Sequence, residues 1–143
     1  DFGSDHLTDA VAKGLSLARG DAEALKRKTG LTPVKGERRV FTVLSGQLAA
    51  LAAEIGRHLM YWRDETRSRT DPVRRVILCG GGANLPGLAD FLSRETSVPT
   101  AIADVWTNVF SVEEEIPEVP FEESLSYAGA IGLALRRFPP AFP

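Results

Sequence analysis

The chain has 143 residues, of which 43% are hydrophobic and 25% are charged, and its formal net charge is −2. This near-average composition indicates one soluble globular unit, and the weak charge argues against a protein that binds nucleic acid or an anionic membrane surface. One cysteine, Cys79, excludes an internal disulfide and a multi-cysteine zinc site. No apolar run approaches the roughly 20 residues that cross a bilayer, so we expect a cytoplasmic protein without an inserted segment.

Residues 1–72 are predicted to be helical. Apolar residues four positions apart predict a helix over 5–15, and strong helix formers predict a second over 18–29, which ends before Gly30. A long helix is predicted over about 38–66, where apolar residues recur every three or four positions. Those residues, which we expect to face the core, are Leu44, Leu48, Leu51, Ile55, Leu59 and Trp62.

The next segment has the pattern of a βαβ unit. Residues 73–79 form a short β-branched run that predicts a buried strand. Three glycines, 80–82, follow directly, and a helix is predicted to begin near Leu85 with Asn84 as its N-cap. Residues 98–103 predict a second strand. This order of strand, helix and strand implies parallel pairing.

The last segment is predicted to be a loop and a helix. Residues 104–123 have no hydrophobic period and carry six glutamates, which predicts a solvated acidic loop. Ser124 is expected to cap a final helix. The predicted apolar stripe of that helix consists of Leu125, Ala128, Ile131, Gly132 and Leu135. The whole pattern predicts an α/β protein with a helical part over 1–72 and an α/β part over 73–143.

Two features could carry chemistry. The glycine triplet lets the backbone turn sharply and approach a ligand closely, although its spacing alone favours a tight turn without a ligand. Glu23 and Lys26 are three residues apart on one helix face. Such a pair is usually an exposed ion pair, but side by side the two groups could also bind a ribose hydroxyl and an adenine edge.

Catalytic motifs are not apparent in the sequence. It has neither a G-x-G-x-x-G nor a G-x-x-x-x-G-K-[ST] pattern. Cys79 ends an apolar run, where an inert buried thiol is expected. His6 and His58 are predicted to be structural or solvent-facing. No pairing of a nucleophile with a base stands out.

Two motifs resemble those of actin-like ATPases. Residues 3–12, followed by Glu23 and Lys26, are similar to the pattern G-G-x-x-[IL]-T-x-x-[IL]-A … A-E-x-x-K. Residues 76–88 resemble the strand, glycine turn and helix that contact adenosine in that family. Both motifs also occur in the division protein FtsA.

Two further stretches resemble the PilM family of type IV pilus assembly proteins. Residues 51–62 are similar to L-x-x-E-I-x-R-S-L-x-Y-Y, and residues 126–136 are similar to the closing A-x-A-[LI]-G-L-A-L-R helix. Four motifs in chain order cover nearly the whole sequence. The resemblance implies part of an actin-like (ribonuclease H-like) ATPase fold: helical subdomain 2B over 1–72, and the closing βαβα half of subdomain 2A over 73–143.

The resemblance also implies one side of a nucleotide site. Gly81, Gly82 and Ala83 would form the floor beneath the adenine and ribose of ATP or ADP. Glu23 and Lys26 would flank the nucleoside from the helical side. The nucleotide would carry Mg²⁺, for which the sequence shows no ligand set of its own.

The phosphate side is expected to be incomplete. Gly3 would lie near the phosphates, but Phe2 replaces the first glycine of the family pair, which argues against close phosphate approach at that turn. The family's two phosphate-binding hairpins have no counterpart here. Because the sequence begins at Asp1 rather than methionine, we expect a C-terminal fragment of a longer protein that by itself neither hydrolyses ATP nor binds it tightly.

The resemblance implies the following function. The intact protein would bind ATP in the cytoplasm, with at most weak ATPase activity, and dock on inner-membrane pilus proteins through the N-terminal tail of a PilN-like partner. It would not bind nucleic acid. The alternatives are an actin-fold adaptor without a working nucleotide site, or an FtsA-like division protein. The open edges of a two-stranded sheet also predict self-association of the fragment.

Overall fold

A computed structural model describes residues 3–32, 38–65, 72–107, 109 and 118–137. The described part is an α/β arrangement of six α-helices, two strands and two short 3-10 helices. In chain order the elements are α1 (Ser4–Leu15), α2 (Arg19–Thr29), α3 (Arg38–Glu65), β1 (Val76–Leu78), a 3-10 helix (Gly81–Asn84), α4 (Leu88–Thr96), β2 (Thr100–Ile102), α5 (Phe121–Ser124), a 3-10 helix (Leu125–Tyr127) and α6 (Ala128–Arg137).

The predicted βαβ unit is confirmed. Strands β1 and β2 pair in parallel, with Val76 opposite Thr100 and Leu78 opposite Ile102. The Val76 amide donates to the Pro99 carbonyl at 2.8 Å. Helix α4 connects the two strands, as a parallel pair requires. The first three helices also begin and end within one or two residues of their predicted bounds.

One apolar core joins the helical part to the α/β part. It is formed chiefly by α1, the first half of α3, α4 and the loops that lead into them. Its buried members are Leu7, Val11, Ala22, Leu31, Val40, Leu44, Leu48, Ala52, Leu85, Leu88, Phe91 and Leu92. The predicted stripe of α3 is therefore correct for its first half. Trp62, near the end of α3, is more than half exposed.

Helix α4 begins later than the sequence predicts. Its N-cap is Gly87, whose φ of 79° is outside the helical region, so the α-helix can start only at Leu88. The backbone before it makes two successive tight turns, in which Leu85 donates to the Gly82 carbonyl and Leu88 to the Leu85 carbonyl. Asn84 is therefore not a helix cap. Its side-chain Nδ2 donates instead to the carbonyl of Glu122 at 2.6 Å.

The sequence predicts a first strand that is buried, but in the structure one face of this strand is exposed. Ile77 is 62% exposed, and the Cys79 thiol is exposed rather than buried. Side chains alternate between the two faces of a strand. Leu78 packs against the core, so its neighbours Ile77 and Cys79 fall on the opposite, open face of the described sheet.

The end of the chain differs from its prediction in detail. Ser124 is the last residue of α5 rather than a cap, and its buried hydroxyl donates to the Phe121 carbonyl at 2.6 Å. Part of the predicted acidic loop, residues 108 and 110–117, lies outside the described residues. In α6, Leu133 is 68% exposed. Among the described ranges, no helix is both long enough and apolar enough to cross a membrane.

A backbone contact holds α2 against the turn that precedes α4. The Leu31 amide donates to the Pro86 carbonyl at 2.7 Å, and Leu31 itself is buried. Gly30, between α2 and Leu31, has a φ of 51°. A Cβ at residue 30 would clash with the Pro86 carbonyl oxygen. Only glycine therefore allows this contact, which brings α2 close to the glycine triplet.

Replacing Gly30 with alanine is expected to destabilise the protein strongly. The added methyl group would clash with the Pro86 backbone, and the positive φ at residue 30 is strained for any residue with a Cβ. We therefore expect a loss of about 2–4 kcal/mol in the free energy of unfolding. Gly46→Ala in α3 is the control, because a Cβ there meets nothing within 4 Å. It should be neutral or stabilising by up to about 1 kcal/mol. Equal effects of the two substitutions in urea unfolding would contradict the role of Gly30.

We also expect this chain to self-associate at micromolar concentration. The described sheet has two strands, each with an unpaired edge, and Ile77 stands exposed on its open face. Ile77→Lys should shift the population toward monomer in light scattering. Met60→Lys, which alters an exposed apolar residue of α3, should not. A monomeric wild-type chain would show the prediction to be wrong.

Candidate functional site

A cavity of about 660 Å³ lies between the helical part and the glycine triplet. One wall comes from the first turns of α1 and the middle of α2, and the other from the 3-10 helix at Gly81–Asn84 and the residues around α5. Four predicted site residues, separated by up to 59 positions in sequence, meet here. They are Glu23, Lys26, Gly81 and Gly82.

The other two predicted residues do not line this cavity. Ala83 is buried beneath the turn, where its amide donates to the Gly80 carbonyl at 3.0 Å. Gly3 is the N-cap of α1, and its carbonyl accepts from the His6 amide at 3.0 Å. Its neighbour Ser4 lines the cavity instead. The structure thus brings the glycine floor and the α2 pair together and leaves Gly3 beside them.

The three glycines have different tasks. Gly80 has a φ of 86°, a conformation that suits glycine and turns the chain from β1 into the 3-10 helix. A Cβ at Gly82 would meet no atom within 4 Å, and one at Gly81 would meet only the Ser126 hydroxyl, at 3.5 Å. Gly80 therefore serves the turn, while Gly81 and Gly82 leave space open in the cavity wall.

The Glu23–Lys26 pair is not the exposed ion pair that its spacing most often indicates. The Lys26 side chain is only 4% exposed, and its Nζ lies 2.7 Å from Glu23 Oε2. The same Nζ donates to the carbonyl and the hydroxyl of Ser4, at 3.0 and 2.8 Å, and to the Thr8 hydroxyl at 2.8 Å. A buried ammonium is tolerated only when it is paired and hydrogen-bonded, and Lys26 meets both conditions.

Glu23 is the acceptor around which the pair is organised. Its Oε2 also accepts a short hydrogen bond from the Thr8 hydroxyl, and its Oε1 lies 2.6 Å from Arg27 Nε. Burial raises the pKa of Glu23, but the hydrogen bonds from Lys26, Thr8 and Arg27 outweigh burial and lower the pKa from 4.5 to about 2. At neutral pH the group is therefore a carboxylate, able only to accept hydrogen bonds.

Several lining residues were not predicted from the sequence. Arg27 follows Lys26 on α2, four residues after Glu23, and this helical spacing could have indicated it. Glu122 and Glu123, together with Ser126, reach the cavity from around α5. They are about 100 positions from Glu23 in sequence, and only the packing of the chain brings them near.

The cavity lining offers several groups that can bind a polar ligand. The lining offers carboxylates, a guanidinium, an amide and hydroxyls, without a nucleophile paired to a base. In the ranges that the structure describes, no group of three or more metal-ligating side chains comes together. The cavity could hold a flat polar ligand between the glycine floor and α2.

The lowered pKa of Glu23 predicts a pH-dependent contribution to stability. Because the pKa is 4.5 unfolded and about 2 folded, the contribution is complete above about pH 5 and is lost as the pH falls toward 2. Allowing for a side chain that is 31% exposed, we expect Glu23→Gln to cost about 1–2 kcal/mol at neutral pH.

The measurement is urea unfolding of wild type and variant between neutral pH and about pH 3. The difference between the two proteins should shrink as the pH is lowered. Glu95→Gln, at an exposed position of α4, is the control and should differ little from wild type at any pH. A Glu23→Gln difference that stays constant with pH would contradict the pairing described.

Comparison with known proteins gives the same family as the sequence motifs. A family model of the type IV pilus assembly protein PilM matches residues 1–138. Among solved structures, the chain is similar to a PilM–PilN type IV pilus biogenesis complex, with 28% identity and a TM-score of 0.68. The match covers 94% of this chain and 37% of that one. No curated protein is significantly similar. Because the family model covers nearly the whole sequence, the chain belongs to the PilM family of type IV pilus assembly proteins.

Proposed function

We propose that the cavity is the nucleoside side of an ATP-binding site in a protein of type IV pilus assembly. One observation carries the proposal: Glu23 and Lys26 of α2 meet Gly81 and Gly82 around a single cavity. The family resemblance assigns these same residues to the two sides of a bound nucleoside. In this proposal the chain contributes subdomain 2B and the closing half of subdomain 2A of an actin-like fold.

The size and lining of the cavity support this ligand class. About 660 Å³ lies within the usual range of small-molecule sites. The wall at Gly81 and Gly82 leaves room for a flat purine ring, because neither carries a side chain. The Glu23 carboxylate, ionised at neutral pH, can accept hydrogen bonds from ribose hydroxyls.

The charges of the lining argue that the phosphates lie elsewhere. Lys26 is neutralised by Glu23, so the charges that remain in the lining are the Arg27 guanidinium on the α2 wall and the carboxylates of Glu122 and Glu123 on the opposite wall. A triphosphate is therefore disfavoured beside Glu122 and Glu123, since like charges repel. We expect the phosphates to extend toward the first turn of α1 and Gly3. The chain spans 37% of the similar PilM structure, and the remaining phosphate and Mg²⁺ contacts are proposed to come from residues beyond this sequence.

Gly82→Val is the direct test of the proposed site. The branched side chain would enter the space proposed for the purine, so the affinity of the full-length natural protein for ADP should fall at least about tenfold, or about 1.4 kcal/mol. The unliganded protein should keep its stability within about 0.5 kcal/mol, because the added Cβ meets nothing within 4 Å. Calorimetric titration and thermal melting with and without ADP measure the two effects.

Gly46→Val in α3, outside the cavity lining, is the matched control and should leave ADP affinity unchanged. The 143-residue chain alone should bind Mg-ATP only weakly, with a dissociation constant above about 100 μM, because adenosine contacts leave the triphosphate and its metal unheld. Undetectable ADP binding by the full-length wild type would favour an adaptor without a nucleotide. An equal loss of stability with and without ADP would assign the glycines to the turn alone.

We further propose that the intact protein assembles with a PilN-like partner in the cytoplasm at the inner membrane. Membership of the PilM family supports this, and the similar structure is a PilM–PilN complex. The test is fluorescence anisotropy of the full-length protein with a labelled peptide from the N-terminal tail of the PilN encoded in the same genome. We expect saturable binding at micromolar concentration. Equal binding of a scrambled peptide of the same composition would contradict the proposal.

A further inference from the structure

The Lys26 ammonium is fully engaged within the protein. An ammonium group has three N–H donors. Four oxygen atoms surround this one, at distances of 2.7 to 3.0 Å: Glu23 Oε2, the Thr8 hydroxyl, and the hydroxyl and carbonyl of Ser4. With 3% of the residue exposed, Lys26 has no donor left for a ligand in the cavity. A ligand could bind it only by displacing one of these contacts.

These contacts join two different parts of the cavity wall. Ser4 lies in the first turn of α1, next to Gly3, while Glu23 lies in the middle of α2. The Thr8 hydroxyl contacts both the Lys26 ammonium and the Glu23 carboxylate, which closes a ring of polar contacts between the helices. A continuous set of polar contacts therefore connects the first turn of α1 to the Glu23 carboxylate.

Arg27 differs from Lys26 in each of these respects. Its side chain is 79% exposed and lines the cavity, and its Nε is bound by Glu23 Oε1. The guanidinium has four further N–H groups in a planar fork, and a planar fork can also stack on an aromatic ring. Of the two cations on this wall, Arg27 is the exposed one, with guanidinium donors beyond the one that Glu23 binds.

We propose that Lys26 is a positioning residue that couples the first turn of α1 to the Glu23 carboxylate, and that Arg27 is the cation that contacts the bound nucleotide. The inference rests on the proposed nucleotide site. It corrects the role that the sequence motif implies for Lys26, from ligand to internal link. In this proposal, the buried Lys26 ammonium positions both ends of the cavity: the end expected to face the phosphates and the end expected to hold the ribose.

Amine labelling tests the assignment directly. The full-length protein is treated with an acetylating reagent, with and without ADP, and modified lysines are identified by mass spectrometry. Lys26 should stay unmodified in both states, while the exposed Lys13 and Lys28 react in both. Labelling of Lys26 in the free protein that disappears with ADP would make Lys26 a ligand and overturn the proposal. For Arg27, labelling by phenylglyoxal should be suppressed by ADP, and labelling unaffected by ADP would contradict its role.

A double-mutant cycle tests the coupling. Lys26→Met keeps the unbranched aliphatic shape of the side chain and removes the ammonium, and Ser4→Ala removes one of its partners. Each should weaken ADP binding, by about tenfold for Lys26→Met, and the double variant should bind no more weakly than Lys26→Met alone. Additive effects would contradict the coupling, since two independent ligand contacts would add.

Hydrogen exchange separates this inference from the proposed function. Amide exchange in the first turns of α1 should rise in Lys26→Met and not in Arg27→Met, without any ligand present. Unchanged exchange in both variants would overturn the positioning role even if ADP binds. Conversely, if wild-type protein does not bind ADP, the nucleotide proposal fails, while exchange and labelling of the free protein still decide whether Lys26 is an internal link.

Discussion

Burying an ammonium group requires an opposite charge and a full set of hydrogen-bond acceptors, and the geometry of this protein around Lys26 follows from that requirement. Glu23 supplies the charge, while Thr8 and Ser4 supply the remaining acceptors. All three matter, because loss of Glu23 would leave the buried charge unpaired and loss of Thr8 or Ser4 would remove hydrogen bonds from the ammonium. The packing of α1 on α2 is thus determined by polar contacts as well as by apolar ones.

A second constraint sets α2 against the α/β part. The Leu31 amide and the Pro86 carbonyl form a backbone hydrogen bond whose close approach excludes any side chain at residue 30. The Pro86 turn follows directly on the 3-10 helix at Gly81–Asn84. The hydrogen bond from Leu31 to Pro86 therefore also fixes the position of this 3-10 helix relative to α2. The cavity is the space that remains between these two fixed walls. The shape of the cavity therefore depends on Gly30, at the contact between Leu31 and Pro86, and on Gly81 and Gly82 in the cavity wall.

In the proposed function, the chemistry of the cavity is that of ligand recognition. Glu23 stays ionised because three donors surround it, and it can therefore accept hydrogen bonds over the whole physiological pH range. Gly81 and Gly82 contribute space rather than functional groups. The acidic residues of α5 give the opposite rim a negative charge. Such a site can select a ligand by shape and hydrogen bonding, and in this proposal the phosphate chemistry belongs to other parts of the whole protein.

Local sequence alone predicted the helices over 5–15, 18–29 and about 38–66 and the parallel βαβ unit, and it indicated the family, because periodicity, glycine stops and short motifs act over a few residues. The sequence also indicated six candidate site residues, of which four line the cavity: Glu23, Lys26, Gly81 and Gly82, but not Gly3 or Ala83. Tertiary structure decided the burial of Lys26, the start of α4 at Leu88 and the exposure of Cys79. It also brought Glu122 and Glu123 to the cavity. Burial and cross-chain contact depend on residues up to about 100 positions apart, which no local pattern encodes.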